Sequence, residues 1–212
     1  AEKLAGLGVP KSKIKLIPAI YVDLGIFKPL NLEKKYDLIF VGRLAKNKGV
    51  DLLLQAASKL KVQNLNFKLL IVGDGPLREY LKFKIEKLKL QDNVLLYGWA
   101  KDSEEIARLL NQSKILVMAS YNEGGPRVVA EAMACGVPIL AAPVGIVAGI
   151  MKIGQFGQLM DWNPKDIAEK ANFILADKSV YQNYSQTALK ISPQFEKKSA
   201  IKNYAEKLQE LI

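Results

Sequence analysis

Short apolar runs alternate with amphipathic stretches along most of the chain. Tyr36–Val41 predicts a strand, and Gly49–Leu60 predicts a helix, because Val50, Leu53, Leu54 and Ala57 share one helical face. Phe67–Val72 predicts a strand that ends in Gly73-Asp74-Gly75-Pro76, and a helix follows from Leu77 to about Leu88. Val94–Tyr97 predicts a strand. Ser103 suits the N-cap of a helix running to about Leu110, with Glu104 and Glu105 in its first turn. Ile115–Met118, Val137–Ala141 and Gln158–Met160 complete the strands, with a helix from Pro126 between the first two. Apolar runs separated by helices indicate a parallel sheet covered on both faces, an α/β doubly wound, Rossmann-like domain whose ligands bind at the carboxyl ends of the strands. Beyond Asn163-Pro164, three further helices are expected over 165–175, 179–190 and 197–212. The last carries Ile201, Tyr204, Leu208 and Leu211 at helical spacing and needs a partner surface. Residues 1–30 read as a helix tail and a proline-punctuated linker, 31–192 as the domain, and 193–212 as a terminal helix.

Composition narrows the chemistry. Half of the 212 residues are hydrophobic, enough for a sizeable core, yet no run of eighteen apolar residues suggests a spanning helix. The first residues, AEKLAGLGVPKSKI, lack the continuous apolar stretch of a signal peptide. Cys135 is the only cysteine, which excludes an internal disulfide and a cysteine-based metal site, and its setting reads as a packed helix end. Cytoplasmic residence is compatible with that. No histidine is present, so a serine–histidine triad and histidine–metal chemistry are excluded, and a hydrolase reading is weakened. Net charge is +10, and it is nearly all lysine, since the arginines are Arg43, Arg78, Arg108 and Arg127. Spacings such as Lys82, Lys84, Lys87, Lys89 fit solvated helix faces, with attraction to an anionic membrane surface or substrate as the alternative. Nucleic acid is not expected as a partner: clustered arginines and interleaved aromatics are missing.

Three constellations carry chemistry. Gly42-Arg43-Leu44-Ala45-Lys46-Asn47-Lys48-Gly49 follows the first strand. Arg43 can bond a phosphate bidentately, and Lys48 can add a compact charge. Gly73-Asp74-Gly75-Pro76 is a tight strand-to-helix turn without the full dinucleotide fingerprint. The third is Glu-x7-Glu, Glu123 to Glu131, with Gly124-Gly125-Pro126-Arg127-Val128 between and Ala-Met-Ala-Cys-Gly-Val-Pro after. Two carboxylates invite a glycosidase reading. The glycines and the helix start argue instead for a phosphate on helix N–H groups, with a carboxylate on either side for hydroxyls. Pro126 fits the first helical position, where its missing N–H is least needed.

These motifs resemble, in order and over essentially the whole chain, the C-terminal donor-binding domain of retaining glycosyltransferases of family 4, which have the two-Rossmann (GT-B) architecture. The landmarks are Ile-Pro…Val-Asp…Phe-Lys-Pro, Gly-Arg-Leu…Lys-Gly, Val-Gly-Asp-Gly-Pro, and Glu-x7-Glu with Glu-Ala-Met-Ala-Cys-Gly-Val-Pro. The resemblance implies a nucleotide-diphosphate-sugar substrate, UDP- or GDP-linked, with no separate cofactor and no essential metal. It implies that Arg43 and Lys48 bind the diphosphate, Glu123 the transferred sugar and Glu131 the ribose. Gly42, Gly124 and the N–H groups of Gly125, Arg127 and Val128 would surround the phosphates, and Gly98 and Trp99 would meet the base. Where many members have glycine, Pro126 removes one amide donor. An N-terminal acceptor-binding domain of the same protein is the implied partner, and peripheral association with the cytoplasmic membrane face is compatible with the charge. A non-catalytic nucleotide-sugar-binding module remains the alternative.

Overall fold

The structure, a computed structural model, describes residues 2–14 and 20–210, with Glu2 and Gln63 as backbone only. Ile17-Pro18 of the linker landmark and Leu211 of the terminal stripe therefore lie outside the described residues. A short α1 (Glu2–Gly6) opens the chain. Six strands then form one sheet: β1 (Tyr36–Val41), β2 (Leu69–Val72), β3 (Val94–Gly98), β4 (Ser113–Met118), β5 (Ile139–Ala141) and β6 (Gly157–Leu159). Every neighbouring pair is parallel, and the order is β3-β2-β1-β4-β5-β6. This is a doubly wound α/β sheet. The helices are α2 (Val50–Gln63), α3 (Arg78–Lys87), α4 (Ser103–Asn111), α5 (Arg127–Ala134), α6 (Val147–Met151), α7 (Pro164–Ala176), α8 (Lys178–Ile191) and α9 (Lys197–Gln209).

All four residues of β2 are buried, as are Leu38, Ile39 and Phe40 of β1 and Leu116 and Val117 of β4. Burying one such side chain is worth about 1.5–3 kcal/mol, against about 1 kcal/mol for a helix cap, so the two-sided sheet dominates the fold. On its flanks α2 packs on α7, α4 on α5, and α5 on α8. Caps then set where helices begin. Asn163 Oδ1 accepts from Lys165 N ahead of Pro164, and Asp177 Oδ1 accepts from Ser179 N and Val180 N.

Several boundaries differ from the sequence expectation for local reasons. Asp102, not Ser103, caps α4, because its carboxylate accepts from Glu105 N at 2.8 Å. The fifth strand starts at Ile139 instead of Val137: Val137 N is spent on Ala132 O, closing α5, and Pro138 has no N–H for the ladder. The second strand starts at Leu69, since Phe67 N bonds Asn64 O and Lys68 N bonds the Asp37 side chain. The five-residue α6 was not expected, being too short to show a helical period. The segment from Ile20 packs on the domain through Ile20, Val22 and Phe27. Val22 also pairs with the start of α9: its N bonds Phe195 O, and its O accepts from Lys197 N.

The chain moves outward from β1 through β2 to β3, then crosses back by α4 to place β4 on the other side of β1. The loops leaving β1 and β4 therefore diverge and open a crevice at the carboxyl ends of these strands.

Candidate functional site

Lys48 and Glu123 meet in that crevice. Lys48 ends a short 3-10 turn, Lys46–Lys48, after β1, and Glu123 lies in the loop after β4. Their Nζ and Oε1 atoms are 2.5 Å apart. Gly49 makes this approach possible. It has φ 66°, in the left-handed region, and a Cβ there would fall 2.1 Å from Ala119 O at the end of β4. Tyr121 N donates to Asn47 O at 2.8 Å and ties the two loops together.

A cavity of about 250 Å³ opens beside the pair, floored by Phe40, Val41 and the end of β4, and walled by Lys48, Ser120, Glu123, Gly125, Pro126, Arg127 and Val128. The wall includes the N-terminus of α5. Pro126 precedes this helix as its N-cap, with φ −71° and ψ 104°, instead of occupying its first position. The proline thus removes the N–H of the cap residue and spares those of the first turn. Among the described residues, the N–H groups of Gly125, Arg127 and Val128 have no protein acceptor, whereas Val129 N bonds Pro126 O. Unspent donors at a helix N-terminus, beside a lysine, suit an anion.

Glu131 sits one turn further into α5 and is 9% exposed. Burial pushes its carboxyl above the ordinary 4.5 of a glutamate, with Arg127 one turn earlier partly opposing the shift. The Arg127 guanidinium lies over the Tyr21 ring at 4.8 Å. Cys135, one turn beyond Glu131, is buried, and burial pushes its thiol up to about 12, so it is an inert packing residue.

A second cavity of about 280 Å³ adjoins the first, sharing Val41. Gly42, Arg43, Gly73 and Trp99 line it, together with Asp102, Ser103 and Ile106 at the start of α4. Arg43 is exposed and has no hydrogen-bond or ion-pair partner among the described residues. Trp99 is 71% exposed. The sequence-predicted residues therefore fall into two groups: Lys48, Glu123, Gly125, Arg127 and Val128 around the first cavity, and Gly42, Arg43 and Trp99 around the second. Gly98 is buried at the end of β3, behind Trp99, and Gly124 is exposed in the loop; neither lines these cavities. Glu131 also stands outside both linings.

Comparison with known proteins agrees with this fold. The family model for glycosyl transferases group 1 matches residues 24–191. The chain belongs to this family. It is 30% identical over 174 residues to N-acetyl-alpha-D-glucosaminyl L-malate synthase of Bacillus anthracis, covering 81% of the chain and 45% of that protein. The fold matches HepE of Anabaena, solved with UDP, at a TM-score of 0.85 and 22% identity, over 98% of the chain and 60% of HepE. It also matches the separately crystallised C-terminal domain of the group 1 glycosyl transferase LpcC of Francisella tularensis, at a TM-score of 0.74 and 22% identity, over 83% of the chain and 99% of that domain. The chain spans less than half the length of the Bacillus relative. Its sheet is that of a GT-B glycosyltransferase domain.

In this glycosyltransferase domain two side chains next to Glu123 escaped the sequence reading. Ser120 Oγ donates to Glu123 Oε1 at 2.8 Å, and Trp162 Nε1 donates to Ser120 O at 3.2 Å. Ser120 carried a usable signal, a hydroxyl just past a strand end and three residues before the glutamate. Trp162 and Tyr21 carried none, since only the folded chain brings them near α5 and its loop.

Proposed function

We propose that the chain is the donor-binding domain of a retaining glycosyltransferase that passes a hexose from a nucleotide-diphosphate sugar to a glycan or lipid-linked acceptor. One observation carries the reading: a cavity at the β1/β4 crevice combines a lysine, a carboxylate and unspent helix N–H groups. The HepE structure, solved with UDP, supports a uridine nucleotide as the first ligand to try.

In this reading the diphosphate lies against Lys48 and the amides of Gly125, Arg127 and Val128, with Arg43 reaching it from the adjoining cavity. Glu123 accepts hydrogen bonds from the sugar and Glu131 from the ribose. The bond from sugar C1 to the diphosphate oxygen breaks as the acceptor oxygen bonds C1 on the same face. The acceptor's hydroxyl proton passes to the departing phosphate oxygen. Charge grows on the diphosphate as that bond breaks, and Arg43, Lys48 and the helix N–H groups stabilise it there. These cations occupy the place a metal ion would otherwise take. The acceptor comes from an N-terminal domain across the cleft, so this chain alone binds donor without efficient transfer. No helix among the described residues is long and apolar enough to cross a membrane. Its lysine excess would support peripheral contact with an anionic cytoplasmic face.

Calorimetry with UDP, GDP and their sugars tests the site. Glu131→Ala should weaken bare nucleotide and donor alike, by about tenfold for lost hydrogen bonds to a charged group. Glu123→Ala should weaken mainly the sugar-bearing donor. Wild-type affinity for both ligands in both variants would sink the assignment. Donor binding without turnover, even in a longer chain bearing the acceptor domain, would favour a non-catalytic binding module.

A further inference from the structure

We propose that Ser120 and Trp162 are positioning residues that hold the Glu123 carboxylate in register for the sugar, and so set the preference for sugar-bearing donor over bare nucleotide. The inference rests on the donor-binding reading of the cavity.

Glu123 Oε1 takes two bonds, one from Lys48 Nζ and one from Ser120 Oγ. Oε2 has no partner among the described residues. The two donors differ in what a diphosphate does to them. A phosphate competes for the mobile ammonium of Lys48, whereas it leaves a serine hydroxyl at a buried strand end in place. Ser120 is 1% exposed and sits two residues past β4. Once Lys48 turns to the diphosphate, the hydroxyl is the remaining bond on Oε1. It keeps the carboxylate from following the ammonium and leaves Oε2 for a sugar hydroxyl.

The Ser120–Tyr121 peptide is itself held from two other loops. Its carbonyl accepts from Trp162 Nε1, past the end of β6, and its N–H donates to Asn47 O, past the end of β1. The Tyr121 and Trp162 rings stack, with centroids 6.0 Å apart and planes at 25°. Trp162 remains 42% exposed, so this peptide contact and this stack, more than core burial, account for its placement. Loops from β1, β4 and β6 thus converge on one carboxylate.

The test measures dissociation constants of UDP, GDP, UDP-glucose, UDP-N-acetylglucosamine and GDP-mannose for the wild-type chain, Ser120→Ala and Trp162→Phe. Trp162→Phe keeps the stack and deletes the N–H. For the best wild-type pair, nucleotide affinity should stay within about twofold in both variants. Donor affinity should fall about tenfold in Ser120→Ala, the loss of one bond to a charged group, and about threefold in Trp162→Phe. An unchanged donor-to-nucleotide ratio in both variants overturns the proposal. A parallel loss of both ligands in variants that melt like the wild type also overturns it, because the pair would then support the whole site and not the sugar-facing carboxylate. A wild-type chain that binds none of these probes defeats the donor-binding reading itself, a separate result.

Discussion

Glu131, assigned to the ribose in the proposed function, sets stability against that role at a single residue. Its carboxyl is buried in α5 and titrates above the ordinary 4.5, chiefly through desolvation. The folded state therefore holds the proton more tightly than the unfolded chain does. This contribution to stability is fully present below pH 4.5 and is lost as pH rises through the folded value. Above that folded value the buried, ionised carboxylate is a net cost. Glu131→Gln should accordingly raise the thermal midpoint at pH 7.5, with the gain shrinking toward pH 4. Calorimetric melts at the two pH values check it, and a gain that is larger at pH 4 would contradict the sign. Binding should run the other way. In the proposed function the carboxylate accepts ribose hydroxyls, so nucleotide affinity should weaken as acid protonates Glu131, while the glutamine variant should bind weakly throughout.

The elements around the site are fixed by close backbone approaches, which makes particular glycines sensitive. Gly145, in the loop after β5, has φ 55°, and a Cβ there would lie 2.2 Å from Glu123 O. Gly145→Ala combines left-handed strain, on the order of 1–3 kcal/mol, with a direct push on the glutamate loop. Donor affinity should drop at least tenfold while the far end of the sheet keeps its hydrogen-exchange protection; wild-type affinity would show that the loop can give way freely. This sensitivity also marks what was legible beforehand. β1 matched its expected span because the apolar run Leu38–Val41 behind Tyr36-Asp37 has few alternatives, and α7 began where Asn163-Pro164 marked it, with Asn163 supplying the cap. Ser103 was read as a cap because serine suits the role in isolation, whereas the carboxylate of Asp102 reached Glu105 N first. The candidate cluster was legible as two motifs, each after a strand. Their contact was not, because Lys48 and Glu123 are 75 positions apart and meet only through the β1–β4 pairing. Trp162 was less visible still, since its role depends on where the loop after β6 ends up.

For the whole molecule, stability is divided unevenly between the sheet domain and α9. The sheet and its flanking helices form one continuous apolar core, which includes the Ile20–Phe27 segment. No residue of α9 is buried, and Ile201, Tyr204 and Leu208 are 53%, 47% and 41% exposed. Among the described residues it is hydrogen-bonded to the domain through Lys197 N to Val22 O, with Glu196 capping its first turn through Ser199 N. A helix of this length is marginal in water without packing, so its amide protons should exchange orders of magnitude faster than those of β1 and β2. Ending the chain after Lys198 keeps the Val22 contact and removes the exposed stripe. The thermal midpoint should then move by less than about 2–4 °C, the equivalent of 1 kcal/mol, and nucleotide affinity should stay unchanged. In a longer chain that contains the proposed acceptor-binding domain, the same truncation should cost much more, because the stripe would there lose an apolar partner at roughly 25 cal/mol per Å² buried. Melting both pairs of proteins separates the cases. A large loss in the present chain would mean that α9 already packs on the sheet domain, and an equally small loss in the longer one would remove the reason for its apolar face.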